Sequence, residues 1–183
     1  MRERILQTAT VQFLERGYDG VSMREIAEAC GITKAALYYH FTGKAELLAE
    51  IVTESLDQMS ELVEAGRARP GNVEERIRWI IGRIFELSAE QRAIIRLARH
   101  DTDRLNEDDR QNVGKAYAER FLQPLAGLLA EGTASGELRE FDPDWGLWLL
   151  LGMLYPFLVP PAISADPRAI TELLDVFFHG TAR

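Results

Sequence analysis

The sequence contains few of the side chains on which enzyme chemistry depends. Cys30 is the only cysteine among 183 residues, so no disulfide can form within the chain. Its neighbours are apolar, which predicts a small buried core residue, with a reactive thiol as the alternative. The three histidines are far apart, and no glycine-rich phosphate loop or other catalytic signature is present. An all-helical enzyme is therefore the weaker interpretation, and we expect no catalytic residues and no cofactor.

The sequence also lacks a long apolar segment without helix breakers. The first residues show no apolar run ahead of a cleavage site, so no secretory signal is visible. The most apolar run is "WGLWLLLGMLYPFLVPPA" at 145–162, and it carries Pro156, Pro160 and Pro161. A buried helix is therefore expected here instead of a membrane span. We accordingly expect the protein to be cytoplasmic and to have no membrane partner.

Positive charge is scarce, although its distribution is uneven. The formal net charge is −8 and the pI is about 5.0, which taken alone argues against nucleic acid, because phosphate contacts need local positive charge. Residues 29–45 nevertheless contain two lysines and no acidic residue. The acidic charge lies mostly outside this opening stretch, and only the surface that faces DNA has to be basic.

Helical periodicity extends over nearly the whole chain, and no stretch alternates convincingly as a strand does. The expected fold is therefore all-α, with about nine helices. Gly17 is a suitable end for a first helix, and Ser22 with Glu25 forms a capping box that begins a second. The stretch "GRARPGN" at 66–72 is the clearest internal break.

The segment "GITKAALYYHF" at 31–41 predicts a third, very short helix after a tight turn. A helix, a glycine-containing turn and a second helix make a helix-turn-helix, whose second helix enters the major groove of DNA. The apolar side chains of Ile32, Leu37 and Phe41 would anchor the short helix. Its other face offers small and polar side chains, namely Thr33, Lys34, Ala35, Ala36, Tyr38, Tyr39 and His40. The alanines permit close approach to base edges.

The stretch "SMREIAEACGITKAALYYHFTGKAELL" at 22–48 resembles the DNA-binding segment of the tetracycline-repressor-like (TetR) family of transcriptional regulators. The matching features are Ser22 and Arg24, "IA" at 26–27, Gly31, "LYYHF" at 37–41, and Lys44 with "LL" at 47–48. The remainder of the chain is similar in helix count and in the turn "GELREFDP". The resemblance implies a DNA-binding domain of three helices at 1–45 and a helical effector-binding and dimerisation domain at 46–183.

The resemblance also implies roles for nine residues on double-stranded operator DNA. Those nearest the bases would be Lys34, Ala35 and Tyr39. Those that bind phosphates would be Thr33, Tyr38, His40 and Lys44, while Ser22 and Arg24 would contact the flanking backbone or a base. As alternatives, one of the two tyrosines packs under the domain, His40 only caps or fills, and Lys34 is merely solvated.

Family members form homodimers through their last two helices, which here would be 144–158 and 167–179. Both are richly apolar, more so than one protomer would be expected to cover. We therefore predict a four-helix interface made by two chains. Its candidate residues are Trp148, Leu151, Leu154, Leu158, Leu173 and Phe177.

The family usually has a ligand cavity among its middle helices. The candidate lining residues are Trp79, Phe85, Phe121, Trp145, Met153 and Tyr155, each with plain core packing as the alternative. An apolar pocket of this kind suits a small hydrophobic effector such as a fatty-acyl compound, an aromatic molecule or a drug. Arg83, Arg96 and Arg99 could pair with an anionic headgroup, or form surface ion pairs.

A metal site is the weaker interpretation of "HDTDRLNEDD" at 100–109. His100, Asp101, Asp103 and Asp108 could converge, but their spacing follows no known template, so no metal is expected.

The layout and the family resemblance together imply a ligand-responsive transcriptional regulator, most simply a repressor that its effector releases from operator DNA. Effector binding would move helices against the fourth helix and change the spacing of the two DNA-reading helices, which is about 34–36 Å. An activator of the same family and a helical protein-interaction module remain alternatives. The outward tyrosines, histidine and lysine of the short helix argue against the module.

Overall fold

The computed structural model describes residues 1–158 and 167–180, apart from the side chains of 89, 90, 96, 99–102 and 167. These residues form ten α-helices and no β-strand, which confirms the all-α expectation. A π-helical segment, Ala118–Leu122, joins two of the helices without interruption, so the described chain has nine continuous helices. The helices are α1 Arg2–Arg16, α2 Met23–Ala29, α3 Lys34–His40, α4 Lys44–Arg67, α5 Val73–Phe85, α6 Ala89–Asp101, α7 Glu107–Tyr117, α8 Gln123–Ser135, α9 Pro143–Leu158 and α10 Pro167–His179.

The chain divides into two compact units, and each consists of two chain segments. The first unit comprises Met1–Leu56 and Ala89–Ala116, and the second comprises Asp57–Ser88 and Tyr117–Arg183. The sequence predicts a different boundary, after residue 45, between the DNA-binding domain and the effector-binding and dimerisation domain. That functional boundary stays a prediction. In the first unit, α1 contacts both α2 and α6, and α2 contacts α3.

The apolar periodicity of α1 explains how the first unit is assembled. Ile5, Ala9 and Phe13 lie on one face of α1 and are fully or almost fully buried. Gly17 ends the helix with a positive φ of 72°, and its N–H donates to Phe13 O. A residue with positive φ closes a helix at little cost when it is glycine. The chain is therefore free to turn towards α2.

In the second unit, α5, α8, α9 and α10 pack against one another around an aliphatic core. Contacts connect α8 with α5 and α9, and α10 with the same two helices. Asn72 begins α5 with a capping box: its side chain accepts from Glu75 N, and its own N–H donates to Glu75 Oε2. The break at 66–72 is confirmed as a helix boundary. The core residues of α5 and α8 include Ile77, Ile80, Ile81, Leu125, Leu128 and Leu129.

The π-helical segment Ala118–Leu122 lies just before Pro124, the second residue of α8. Proline has no N–H with which to continue the α-helical hydrogen bonds, and it crowds the preceding turn. A local π segment is one of the recognised ways in which a helix accommodates such an interruption. Among the described residues, no helix combines the length and apolar character required to cross a membrane.

A substitution at Gly66 tests how tightly α4 and α5 pack within the second unit. A Cβ added at Gly66 would overlap Ile80 Cγ1 and lie 2.7 Å from Ile80 Cδ1 and 3.2 Å from Trp79 Cε3. Because Ile80 is fully buried, Gly66→Ala is expected to lower the free energy of unfolding by about 1–3 kcal/mol through overpacking. Urea denaturation at fixed protein concentration measures the change.

Gly82→Ala is the matched control, since Gly82 lies inside α5 and no described atom is within 4 Å of the added Cβ. Alanine restricts the unfolded chain and favours helix, so this variant should gain about 0.5–1 kcal/mol. Equal effects of the two substitutions would contradict the packing described here.

Candidate functional site

The turn between α2 and α3 fixes the direction of the short helix. Gly31 has a φ of 62°, a conformation that costs glycine little and other residues more. Its N–H donates to Glu28 O at 3.0 Å, and Ile32 N donates to Ala27 O at 3.0 Å. The chain thus turns from α2 to α3 within four residues, as in a helix-turn-helix.

One face of α3 is anchored in the first unit. Leu37 is fully buried, Phe41 is almost so, and Ile32 is half-buried. These are the three residues that the sequence assigns to the anchoring face. Thr33 is the N-cap of α3, and its Oγ1 accepts from Ala36 N at 3.1 Å. Cap and anchor together hold a helix of only seven residues in one orientation.

The opposite face of α3 is open to solvent. Tyr39 is 87% exposed and Tyr38 is 43% exposed, and Thr33, Lys34 and Ala35 are exposed as well. Both tyrosines therefore point outward, and neither packs under the domain. His40 is half-buried, with its ring 5.3 Å from the Tyr39 ring in an edge-to-face arrangement.

Lys34 and Tyr38 form a pair along this face. The Lys34 Nζ lies 5.5 Å from the centre of the Tyr38 ring, which is within the range of a cation–π contact. The two residues are four apart, so consecutive helical turns bring them together. The lysine therefore extends over its own helix, with its ammonium group on the exposed face.

The capping box that begins α2 engages Ser22. Its Oγ accepts from Glu25 N, and its N–H donates to Glu25 Oε2 at 2.8 Å. The Ser22 hydroxyl and the Arg16 guanidinium lower the pKa of Glu25 from 4.5 to about 2. Glu25 is therefore ionised at neutral pH, which favours the start of α2. Ser22 stays exposed next to this network, and its contact with DNA stays a prediction.

Arg24 and Lys44 are placed differently from each other. Arg24 is exposed, with its Nε 3.4 Å from Glu28 Oε1 on the next turn. Lys44 is half-buried; its Nζ donates to Tyr18 O at 2.7 Å and lies 4.4 Å from the Tyr18 ring centre. The Lys44 ammonium thus ties the start of α4 to the segment after α1. A phosphate contact of Lys44, as predicted, would have to use the ammonium hydrogens that are not bonded to Tyr18 O.

The candidate effector residues occupy different environments in the second unit. Phe121 is buried and stacks on Tyr117 with ring centres 5.6 Å apart, and the Tyr117 and Tyr155 hydroxyls are hydrogen-bonded. Trp79, Phe85 and Met153 are half-buried, and Arg69 lies over the Trp79 ring at 4.8 Å. Trp145 is 76% exposed. Trp145 therefore lies on the surface of the protomer, and its assignment to the ligand-pocket lining is corrected.

The structure adds Tyr117 to the candidate effector residues. Its hydroxyl contact with Tyr155 and its stacking on Phe121 link α7, the π-helical segment and α9. The sequence contains a signal for it, because Tyr117 and Phe121 are four residues apart and share a helical face. A tyrosine with a polar tip in an apolar surrounding is also a typical feature of ligand pockets.

The outward face of α9 differs from the one that the sequence predicts. Leu151, Leu154 and Leu158 are buried within their own protomer and are therefore core residues, so their assignment to the dimer interface is corrected. Trp148 is 55% exposed, as an interface residue requires, and so is Leu149 at 57%. Trp145, Gly152 and Pro156 complete this exposed stripe, which recurs every three or four residues.

On α10, Leu173 and Phe177 are half-buried, and Val176 beside them is 40% exposed. The interface contribution of α10 stays a prediction. The outward residues Leu149 and Val176 were absent from the predicted interface. Leu149 follows Trp145 by four residues and Val176 follows Leu173 by three, so helical spacing puts each pair on one face.

The remaining candidates for charge or metal binding are only partly described. The side chains of Arg96, Arg99, His100 and Asp101 lie outside the described residues. Arg83 forms an ion pair with Glu86 on the protein surface. The part of the chain whose side chains are described contains no group of three or more potential metal ligands.

Comparisons with known proteins agree with this geometry. The family model described as bacterial regulatory proteins of the tetR family matches residues 5–51. The HTH-type transcriptional repressor KstR2 of Mycolicibacterium smegmatis is 24% identical over 144 residues, which cover 78% of this chain and 70% of KstR2.

Two solved structures cover nearly the entire chain. The TetR family regulator PfmR from Thermus thermophilus has a TM-score of 0.86 and 26% identity, and covers 100% of this chain and 98% of its own. AibR in complex with isovaleryl coenzyme A and operator DNA has a TM-score of 0.79 and 27% identity, and covers 97% of each chain. Residues 5–51 therefore resemble the DNA-binding segment of tetR family regulators, and nearly the whole chain shares the fold of these solved regulators.

Proposed function

We propose that the protein is a homodimeric, ligand-responsive repressor that places α3 in the major groove of operator DNA. The observation that carries the proposal is the two-sided character of α3, with Leu37 buried and with Lys34 and Tyr39 exposed. The major groove is about 12 Å wide and admits one helix with modest side chains. Repression is supported by the likeness to KstR2, a named repressor.

Two-fold symmetry supplies the second half of the proposed DNA-binding surface. A single seven-residue helix offers few contacts, and helix-turn-helix proteins commonly bind paired half-sites as dimers. The exposed stripe of Trp145, Trp148 and Leu149 on α9 is an apolar surface of the kind that partner subunits cover. We assign it, together with Val176 and Phe177 of α10, to the dimer interface.

The effector class that we propose is an acyl-coenzyme A. Support comes from AibR, whose solved complex contains isovaleryl coenzyme A, and from the buried Phe121 ring, which stacks on Tyr117, whose hydroxyl is hydrogen-bonded to that of Tyr155. Apolar side chains suit an acyl chain, and phenolic hydroxyls suit a carbonyl oxygen. Because its operator is chromosomal DNA, we place the protein in the cytoplasm.

Tyr39→Ala is expected to weaken operator binding by about tenfold, since it removes a hydrogen-bonding group and an aromatic contact. Stability should change by no more than about 0.5 kcal/mol, because Tyr39 is 87% exposed. Fluorescence anisotropy with the DNA upstream of the protein's own gene, at about 50 mM salt, measures the affinity. Val11→Ala, at an exposed apolar site of α1, is the control.

Wild-type affinity should also fall steeply between about 50 and 200 mM salt, because phosphate contacts release counterions. If the wild-type protein fails to bind this DNA even at low salt, the proposed repressor function is wrong.

Trp148→Glu is expected to convert the dimer into a monomer at micromolar concentration. The substitution places a carboxylate in an apolar interface, where burying an unpaired charge is unfavourable. Sedimentation velocity measures the oligomeric state. Val11→Glu adds the same charge at an exposed site on α1 and should leave the dimer intact. A dimer that survives Trp148→Glu would place the interface elsewhere.

Acyl-coenzyme A should stabilise the protein and release it from DNA. A ligand at one hundred times its dissociation constant raises the free energy of unfolding by about 2.7 kcal/mol. Thermal melts with isovaleryl and stearoyl coenzyme A measure this, and coenzyme A without an acyl group is the control. If neither compound shifts the melt or the anisotropy of the DNA complex, the acyl-coenzyme A class is excluded.

A further inference from the structure

The bases that α3 selects can be inferred from the side chains on its exposed face; this inference rests on the proposed DNA-binding function. Seven residues at 1.5 Å each make a helix of about 10 Å. Base pairs are spaced about 3.4 Å apart along the duplex. A single α3 therefore spans about three base pairs of a half-site.

Position along α3 decides which residues reach the bases. In helix-turn-helix proteins, the N-terminal residues of the reading helix contact base edges. Here those residues are Lys34, Ala35 and Ala36, all exposed. Thr33 lies one position earlier, and its hydroxyl oxygen already accepts from Ala36 N. His40 lies at the opposite end of the helix and is half-buried.

The residue types of 33–40 exclude the readout of adenine by an amide side chain and of cytosine by a carboxylate. Adenine is read in the major groove by Asn or Gln, and cytosine by Asp or Glu. Residues 33–40 contain none of these four residue types, and Lys34 is their only lysine or arginine. Lysine donates to the O6 and N7 acceptors of guanine, and an alanine methyl packs on the C5-methyl group of thymine.

We propose that Lys34 is the base-specificity residue of the protein: it selects guanine, while Ala35 and Ala36 select a neighbouring thymine methyl. Each half-site would thus have one essential guanine beside at least one thymine. The two symmetry-related helices repeat this requirement about one DNA turn apart.

Tyr38 is the positioning residue for Lys34. Its ring lies 5.5 Å from the Lys34 Nζ, and this contact keeps the lysine side chain along the exposed face of α3. A lysine has four rotatable side-chain bonds, so restricting it favours one donor direction over many. Tyr38→Phe retains the aromatic ring and should retain guanine selection. Tyr38→Leu removes the ring and should weaken that selection.

Exchange of Lys34 tests the assignment directly. Binding sites are selected from a randomised DNA library by the wild-type protein, Lys34→Gln and Lys34→Ala. The wild-type protein should select a guanine in each half-site, with about tenfold or greater preference over the other bases. Lys34→Gln should change the selected base at that position to adenine, and Lys34→Ala should show no preference there. Lys115→Ala, an exposed lysine on α7, is the matched control and should select the wild-type site.

Single-atom changes in the selected DNA give a second measurement. Replacing the guanine with 7-deazaguanine removes N7 and should weaken wild-type binding about tenfold while leaving Lys34→Ala unaffected. Replacing the neighbouring thymine with uracil removes one methyl group and should weaken binding roughly fourfold.

The outcomes separate this inference from the proposed function. If Lys34→Gln and Lys34→Ala lose affinity equally for all sequences and keep the wild-type base preference, Lys34 contacts only phosphate and the inference is overturned. Insensitivity of the wild-type protein to 7-deazaguanine would overturn it as well. A wild-type protein that selects no sequence and binds no duplex at low salt would instead refute the proposed function.

Discussion

The buried contact of Leu37 and Phe41 is the constraint on which the DNA-facing surface depends. A helix of seven residues cannot persist alone in water, because nucleation is costly and few hydrogen bonds follow it. The cap at Thr33 satisfies one amide of α3, but the helix remains in place because its two apolar side chains are buried in the first unit. Residues on the other face are then held in fixed positions without packing of their own. This is why Tyr39 can be both highly exposed and well oriented.

Local charge, and not the total charge, decides whether this acidic chain can approach DNA. The carboxylates next to the exposed face have partners within the first unit: Glu25 accepts from Ser22 and Arg16, Glu28 pairs with Arg24, and Glu46 accepts from Thr42. Paired or hydrogen-bonded carboxylates repel a phosphate less than isolated ones do. The acidic surface elsewhere disfavours binding without sequence selection. Specific contacts at α3 therefore carry a larger share of the affinity than they would in a basic protein.

Sequence patterns predicted the parts of the fold that are set by local chemistry. The capping box at Ser22, the left-handed glycines at Gly17 and Gly31, and the break at 66–72 are determined by residues within a few positions of each other. For α9 the sequence was insufficient, because a helix that is apolar all round gives no polar stripe to mark its outer face. Three leucines assigned to the interface are core residues, and Trp145 is on the surface. Tertiary packing alone distinguishes these positions.

Helix α9 carries residues of both the proposed effector site and the proposed dimer interface. Tyr155 is half-buried and hydrogen-bonded to Tyr117, while Trp148 and Leu149 on the same helix face solvent. A ligand that displaces this rigid helix alters both surfaces together, because a helix moves as a unit and packed side chains have few alternative arrangements. The effect is necessarily reciprocal: an acyl-coenzyme A that weakens operator binding is itself bound more weakly by the operator complex, by the same factor. An effector that binds the free and the DNA-bound dimer equally would release nothing, however tightly it bound. Release therefore requires that the free and the DNA-bound dimer bind the ligand with different affinities, and in the proposed mechanism the outward stripe of α9 is where one protomer's ligand would act on its partner.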